Sequence, residues 1–128
     1  MEEKYVYMTP EQLEELRAKV NAIEGVAEIR AAAKASINYH IAKGRYENGE
    51  IDIEDVPHYD SNEIWRLRKQ YPRAAAFIEA EYWTGDDNPV KVRLGSRACE
   101  RILAGEDHNE VLKDMMNGLA AFRLAQEG

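Results

Sequence analysis

Cysteine is almost missing from this 128-residue chain, in which Cys99 is the single example. One cysteine excludes an intramolecular disulfide, and without a cysteine pair we do not expect a zinc site built on thiolates. No apolar run approaches the roughly 18–20 residues of a membrane-spanning helix. The first residues also lack the basic and apolar regions of a secretory signal. These absences predict a cytoplasmic protein that does not enter a membrane.

Motifs for catalysis and metal binding are missing as well. The sequence contains no glycine-rich phosphate loop, no Gly-x-Ser-x-Gly elbow and no His-Glu-x-x-His pair. Its three histidines, His40, His58 and His108, fall in different segments at no ligand spacing. We therefore expect a non-enzymatic protein with no metal and no cofactor, in which Cys99 is a buried structural thiol.

Helical signals dominate what is present. The length suits one domain with a single core, and we predict an all-α fold over residues 1–128, a compact bundle of five to six helices with an irregular acidic connector. Only residues 5–8, where tyrosines alternate with Val6 and Met8, are compatible with a brief extended segment.

The first two helices are predicted from a cap and two glycines. Thr9, Pro10 and Gln12 form a capping box with proline at the first helical position. Gly25 is expected to end this helix, although one long helix that tolerates this glycine is the alternative. The second helix is predicted over residues 26–43 and is expected to stop at Gly44. Its apolar residues recur on one side and are Val26, Ile29, Ala33, Ile37 and Ile41.

A central helix is predicted over residues 72–83. Pro72 suits a first helical turn and should also end the preceding helix near Gln70. Ala75, Ile78 and Tyr82 recur at three- and four-residue steps, so we expect them on one face of this helix, and the three alanines at 74–76 would let another helix approach closely.

The remaining helices are predicted from caps and glycines. Asp60 and Glu63 have the spacing of a capping box for a helix that contains Trp65. Asn88 and Pro89 can begin a helix that residues 95 and 96 could interrupt, and Gly105 is expected to end it. A further capping box, from Asp107 to Glu110, is expected to begin the last helix.

The net charge of −7 is carried by one segment. Residues 47–63 contain seven carboxylates and neither lysine nor arginine, so the rest of the chain is balanced. The Asn48-Gly49 pair indicates a turn here, and Ile51 and Ile53 could alternate in a small hairpin. An ordered loop with Ile51, Ile53 and Val56 directed inward is the preferred interpretation.

This acidic segment is the first candidate binding site. Carboxylates spread along a surface can imitate a phosphate backbone and occupy a basic channel on another protein. The candidate partner-binding residues are Glu50, Asp52, Glu54 and Asp55. The ordinary role of such a charge run is a solvated loop, and this alternative stays open.

A basic and aromatic cluster follows and gives a second hypothesis from a different class. Arg66, Arg68, Tyr71 and Arg73 could clamp a small ligand or a nucleotide. Helical aromatics more often belong to a core, and the arginines could instead pair with the acidic segment. The overall acidity opposes direct binding to nucleic acid.

The C-terminal half carries a resemblance. The run from Tyr71 to Phe77, together with residues 79–81, 88, 91, 95, 98, 100–102 and 105–107, resembles small uncharacterised proteins of phages and mobile elements of Gram-positive gut bacteria. The resemblance implies an accessory protein that acts on a host system and carries no functional residue with it. We therefore expect an inhibitor or modulator of a host defence or nucleic-acid-handling protein.

Self-association is a further expectation. Alanine-rich sides of the second and central helices could pack inside one chain or across a two-fold axis, which would make a homodimer.

Overall fold

A computed structural model describes residues 9–127, so the expectation for residues 5–8 lies outside the described part. The helices are α1 (Pro10–Asn21), α2 (Val26–Glu47), α3 (Glu63–Gln70), α4 (Pro72–Trp83), α5 (Pro89–Leu103) and α6 (His108–Glu127). A short 3-10 helix spans Ile53–Asp55, and residues 9–127 contain no strand. The prediction of an all-α bundle with an irregular acidic connector is confirmed.

The junction between α1 and α2 is a true break. Thr9 and Gln12 form the predicted capping box at the start of α1. Gly25 has a φ of 95°, a conformation that an L-residue with a side chain rarely adopts, and it precedes α2 directly. The Tyr71 ring lies so close that a Cβ on Gly25 would come within 2.2 Å of its Cγ. The alternative of one continuous helix is therefore wrong.

Helix α2 is longer than predicted and is buried along only part of its length. It runs through Gly44 to Glu47, so the expected stop at Gly44 is wrong. Its buried residues are Val26, Ile29 and Ala32. Ile37 and Ile41, predicted on the same apolar side, are each 59% exposed because the described helices cover mainly the first half of α2.

Helix α3 begins without the predicted capping box. Its N-cap is Asn62, which makes no side-chain cap hydrogen bond. The Asp60 carboxylate instead accepts a hydrogen bond from the Asn62 backbone N–H at 2.9 Å. This bond closes a turn over residues 60–62, just before the helix begins. The helix ends at Gln70 as predicted, since Pro72 disfavours helical geometry at Tyr71.

Helix α4 is the central helix and packs most extensively on α5. Of the three residues predicted on one face, Tyr82 is 77% exposed, and Ala75 and Ile78 are half-buried and pack against the core. The residues that it buries are Ala74, Ala76, Phe77, Ala80 and Trp83. Three of these five are alanines, so the neighbouring helix can approach the α4 backbone closely.

Helices α5 and α6 complete the bundle. The Asn88 side chain caps α5 by accepting from the Val90 N–H at 2.9 Å, and α5 continues through residues 95 and 96 without interruption. Gly105 follows its C-terminus with a φ of 95°, as expected of a terminating glycine. At the start of α6 the Asp107 carboxylate accepts from the Asn109 N–H at 2.8 Å. Helix α6 contributes Val111, Met115 and Leu119 to the core.

One cluster of buried residues joins α1, α2, α4, α5 and α6, and α3 packs Ile64 and Leu67 against it. None of the helices within residues 9–127 combines the length and the apolar character that crossing a bilayer requires.

Candidate functional site

The acidic connector begins where α2 ends. Gly49 has a φ of 77° and donates its N–H to the Tyr46 carbonyl at 3.0 Å, and the Glu50 N–H follows with a bond to the Arg45 carbonyl at 2.9 Å. The Asn48-Gly49 turn therefore ends the helix. No hairpin follows in the described chain, since residues 51–62 contain no strand.

The next residues form the acidic turn, which we define as residues 52–55. The Asp55 N–H donates to the Asp52 carbonyl at 3.0 Å, and the Asp52 N–H donates to the Asp55 carboxylate at 3.3 Å. These two bonds close the turn on itself. Ile53 was expected to point inward, but it is 60% exposed, whereas Ile51 and Val56 are half-buried. The turn therefore presents an isoleucine among its carboxylates.

The carboxylates of the connector fall into two groups. Glu50 pairs with Arg45 at 3.4 Å, and Asp60 pairs with Arg66 at 2.6 Å. The hydrogen bond from Arg66 lowers the pKa of Asp60. The three carboxylates of the acidic turn, those of Asp52, Glu54 and Asp55, are exposed and form no ion pair with any cation in residues 9–127.

Aromatic contacts hold the connector against α2. The rings of Tyr39 and Tyr59 stack with centroids 5.1 Å apart, and His40 meets Tyr59 edge-on at 5.9 Å. A groove of about 500 Å³ beside them is lined by both sides of this contact, including Tyr46, Ile53 and other residues of the connector. The sequence does not reveal this stack, because nothing local links aromatics that are twenty positions apart. The acidic turn is thus held by packing.

The basic cluster of the second hypothesis is divided among different neighbours. Arg66 bonds Asp60, as described above. Arg68 lies 3.7 Å from the Glu79 carboxylate, and its guanidinium carbon lies 5.7 Å from the centroid of the Trp65 ring. Both arginines therefore have an anionic partner within the chain.

Tyr71 and Arg73 have structural contacts of their own. The Tyr71 hydroxyl accepts a hydrogen bond from the Gln70 amide at 3.1 Å, and its ring covers Gly25. Arg73 donates to the Ile102 carbonyl and, at 3.0 Å, to the Glu106 carbonyl. It thereby joins α4 to the end of α5 and to the turn that follows it. The four residues of the second hypothesis are not brought together in one site.

A different groove does bring an aromatic ring and basic side chains together. It lies among α3, α4 and the start of α6, and has a volume of about 340 Å³. Trp65, which is 63% exposed, lines it together with Arg68, Lys69, Glu79 and His108. Only Arg68 belongs to the predicted cluster. The sequence places His108 in a separate helix and gives no sign that it lies near Trp65, because the two are 43 positions apart.

Other reactive groups offer little chemistry. Burial raises the pKa of the Cys99 thiol to about 11, with Glu81 and Glu100 adding to the effect. Such a thiol is protonated at neutral pH and is a poor nucleophile. The part of the chain from residue 9 to 127 holds no group of three or more His, Cys, Asp or Glu side chains that could bind a metal ion.

Comparisons with protein-family models, with curated proteins and with solved structures found no match to this chain. The resemblance to proteins of phages and mobile elements therefore stays a prediction.

Proposed function

We propose that this protein is a non-enzymatic interaction protein that binds a basic surface on another protein through its acidic turn. The observation that carries the proposal is the set of three exposed carboxylates around exposed Ile53, none of them in an ion pair within residues 9–127. Charged groups without local partners can attract an oppositely charged partner over a distance and fix its orientation. An exposed isoleucine among them adds apolar contact once the partner has docked.

The packing of the connector supports recognition. A surface that is ordered before binding loses less conformational entropy when the partner docks. The Tyr39–Tyr59 stack and the hydrogen bonds of the turn supply this order. A solvated loop would need neither feature.

The chemistry of the partner follows from the charge. Closely spaced carboxylates resemble the phosphates of a nucleic acid, so the best partner is a protein whose basic channel normally holds nucleic acid. If the chain has the phage or mobile-element origin that the resemblance implies, that partner is a host defence or nucleic-acid-handling protein, and this chain inhibits or modulates it.

A charge-matched pair of variants tests the proposal. The turn variant carries Asp52→Asn, Glu54→Gln and Asp55→Asn. The control variant changes three exposed glutamates of α1 to glutamine, at positions 11, 14 and 15, and therefore has the same net charge. Both should keep the fold, because exposed charges contribute little to stability.

Pull-down from a lysate of a Gram-positive bacterium is the measurement. We expect captured proteins that double-stranded DNA displaces, that the control variant retains, and that the turn variant binds about 3- to 150-fold more weakly, from roughly 0.2–1 kcal/mol for each of three charges. Equal capture by the two variants, or capture that DNA does not displace, would contradict the proposal.

The groove beside Trp65 favours a second candidate function, the binding of a small anionic aromatic ligand such as a nucleotide. Trp65 offers a stacking surface and Lys69 a cation, while Trp83, the other tryptophan, is buried. Titration of tryptophan fluorescence with ATP should report Trp65. Saturable quenching that Lys69→Gln weakens and Arg66→Gln does not would support this candidate, and unchanged fluorescence would refute it.

A further inference from the structure

The second half of α2 leaves an apolar seam without a partner in the described fold. We define the seam as Ala33, Ile37, Ile41 and Gly44, which follow one another at steps of four, four and three residues and therefore share one side of the helix. Its two isoleucines are each 59% exposed. The connector does not cover them, since it packs against the side of α2 that carries Tyr39 and Tyr46.

Gly44 is the residue that points to a contact outside the described fold. Apart from proline, glycine is the poorest helix former, so a glycine inside a helix usually has a packing reason. A Cβ at Gly95 would come within 2.6 Å of the Ala80 carbonyl, and one at Gly118 within 2.6 Å of the Leu94 side chain. A Cβ at Gly44 would meet nothing within 4 Å. Nothing in residues 9–127 requires glycine there.

The seam is also complementary to itself. Its order is small, large, large, small, so it has the same pattern in both directions. If a second α2 lies antiparallel across it, Ile37 faces Ile41 of the other copy. Ala33 then lies within one residue of facing Gly44 of the other copy. The small residues at both ends let the two backbones approach, as close helix packing requires. This arrangement is an isologous two-fold contact.

Charges beside the seam fit the same register. Lys34 is exposed and forms no ion pair among the described residues, whereas Arg45 holds the Glu50 carboxylate at 3.4 Å. In the antiparallel register Lys34 lies opposite Gly44 of the other copy, beside the Arg45–Glu50 ion pair of that copy. The Glu50 carboxylate of each copy then lies near the Lys34 ammonium of the other, which gives two equivalent ion pairs.

We infer that the α2 seam is a homodimer interface whose occupant is a second copy of this chain, packed antiparallel about a two-fold axis. The inference replaces one part of the sequence-based expectation. The alanines of α4 at positions 74, 76 and 80 are buried within the chain, so the contact is placed on α2. The acidic turn lies on the other side of α2, and dimerisation would leave it exposed in both copies.

Sedimentation velocity over a range of concentrations tests the interface. We expect the wild-type protein to pass from monomer to dimer, and Ile41→Lys to stay monomeric with an unchanged far-ultraviolet circular dichroism spectrum. Leu124→Lys, which changes an exposed apolar residue on α6, is the matched control and should dimerise as the wild type does. A wild type that is monomeric throughout, or two variants that behave alike, would overturn the inference.

Two further variants test the register. Lys34→Glu and Glu50→Lys should each weaken dimerisation at least fivefold, and the double exchange should restore it. In a mixture of Ile37→Cys and Ile41→Cys proteins, the antiparallel register predicts that disulfides form between the two variants. Disulfides only within each variant would show a parallel contact and overturn the register. Native Cys99 is half-buried and protonated, so it should not compete.

Discussion

Replacing Gly95 by alanine should destabilise the fold even though alanine is the better helix former. Gly95 lies inside α5, where that helix crosses α4. An alanine Cβ would stand 2.6 Å from the Ala80 carbonyl oxygen and 2.7 Å from the Trp83 Cβ. Neither atom is at the end of a flexible side chain, so α4 and α5 must move apart as units.

The magnitude follows from two opposing effects. An ordinary contact begins near 3.4 Å, so the two helices must separate by about 0.8 Å, which is 3.4 minus 2.6. Overpacking of this kind costs about 1–3 kcal/mol, and a rigid backbone neighbour places it near the upper end. The helix-propensity gain from glycine to alanine returns about 1 kcal/mol. We expect Gly95→Ala to lower the free energy of unfolding by about 2 kcal/mol.

Gly44→Ala is the matched control, because it makes the same substitution inside a helix but meets open space. It should raise the free energy of unfolding by about 1 kcal/mol, so the two variants should differ by about 3 kcal/mol. For a chain of this length that difference corresponds to roughly 10 °C in melting temperature.

Urea unfolding followed by circular dichroism is the assay, at a protein concentration where sedimentation shows only monomer. A shift in midpoint with an unchanged m-value would show that stability alone has changed. If Gly95→Ala were as stable as Gly44→Ala, the close approach of α4 and α5 described here would be refuted.

Two other substitutions or modifications check contacts at α5. Arg73→Met should lower the free energy of unfolding by about 1.5–3 kcal/mol, because Arg73 donates to the carbonyls of Ile102 and Glu106. Arg66→Met removes only an exposed ion pair and should lower it by less than about 1 kcal/mol. Equal losses of stability for the two variants in urea unfolding would contradict this. Iodoacetamide should modify native Cys99 slowly until the pH nears 11. Because its pKa is raised, the thiol favours the fold below about pH 8.5, the ordinary thiol value, and this contribution is lost as the pH rises toward 11. Fast native labelling at neutral pH would refute the burial.

Helix boundaries could be predicted from sequence where backbone chemistry fixes them. Pro10, Pro72 and Pro89 lie at the first position of their helices, and Gly25 and Gly105 adopt a positive φ at helix ends. These preferences belong to single residues and act whatever the surroundings are. Gly44 was misjudged because glycine without a positive φ can stay inside a helix.

The buried sides of the helices were harder to predict. Residues 74–76 are all alanine, so periodicity alone cannot choose which side of α4 faces the core. The side of α4 that is buried is set by packing against α5, where Gly95 leaves room for the α4 backbone. The isoleucines of α2 have core periodicity and remain exposed, because the pattern records amphipathic character and cannot record which partner covers it.

In the candidate sites, too, the composition could be predicted from the sequence but the contacts could not. The acidic character of the connector was visible in the sequence, since it depends only on composition. The sequence did not show which of these carboxylates form ion pairs. Glu50 and Asp60 pair with Arg45 and Arg66 only because the chain turns between the two members of each pair. Arg73 and Ile102 are separated by 29 positions, and only the tertiary fold brings them together.

The order in which the helices pack has a consequence for folding kinetics. Each helix has its most extensive contacts with one that is adjacent in the chain, and α4, α5 and α6 form the most closely packed group, whereas α1 touches the rest only weakly. Bringing chain neighbours together closes only short loops, so the entropic barrier is low and the relative contact order is small. We expect the C-terminal three helices to form a nucleus within milliseconds, before α1 docks. Amides of α1 should then exchange with solvent well before those of α4 and α5 in a native-state hydrogen-exchange experiment.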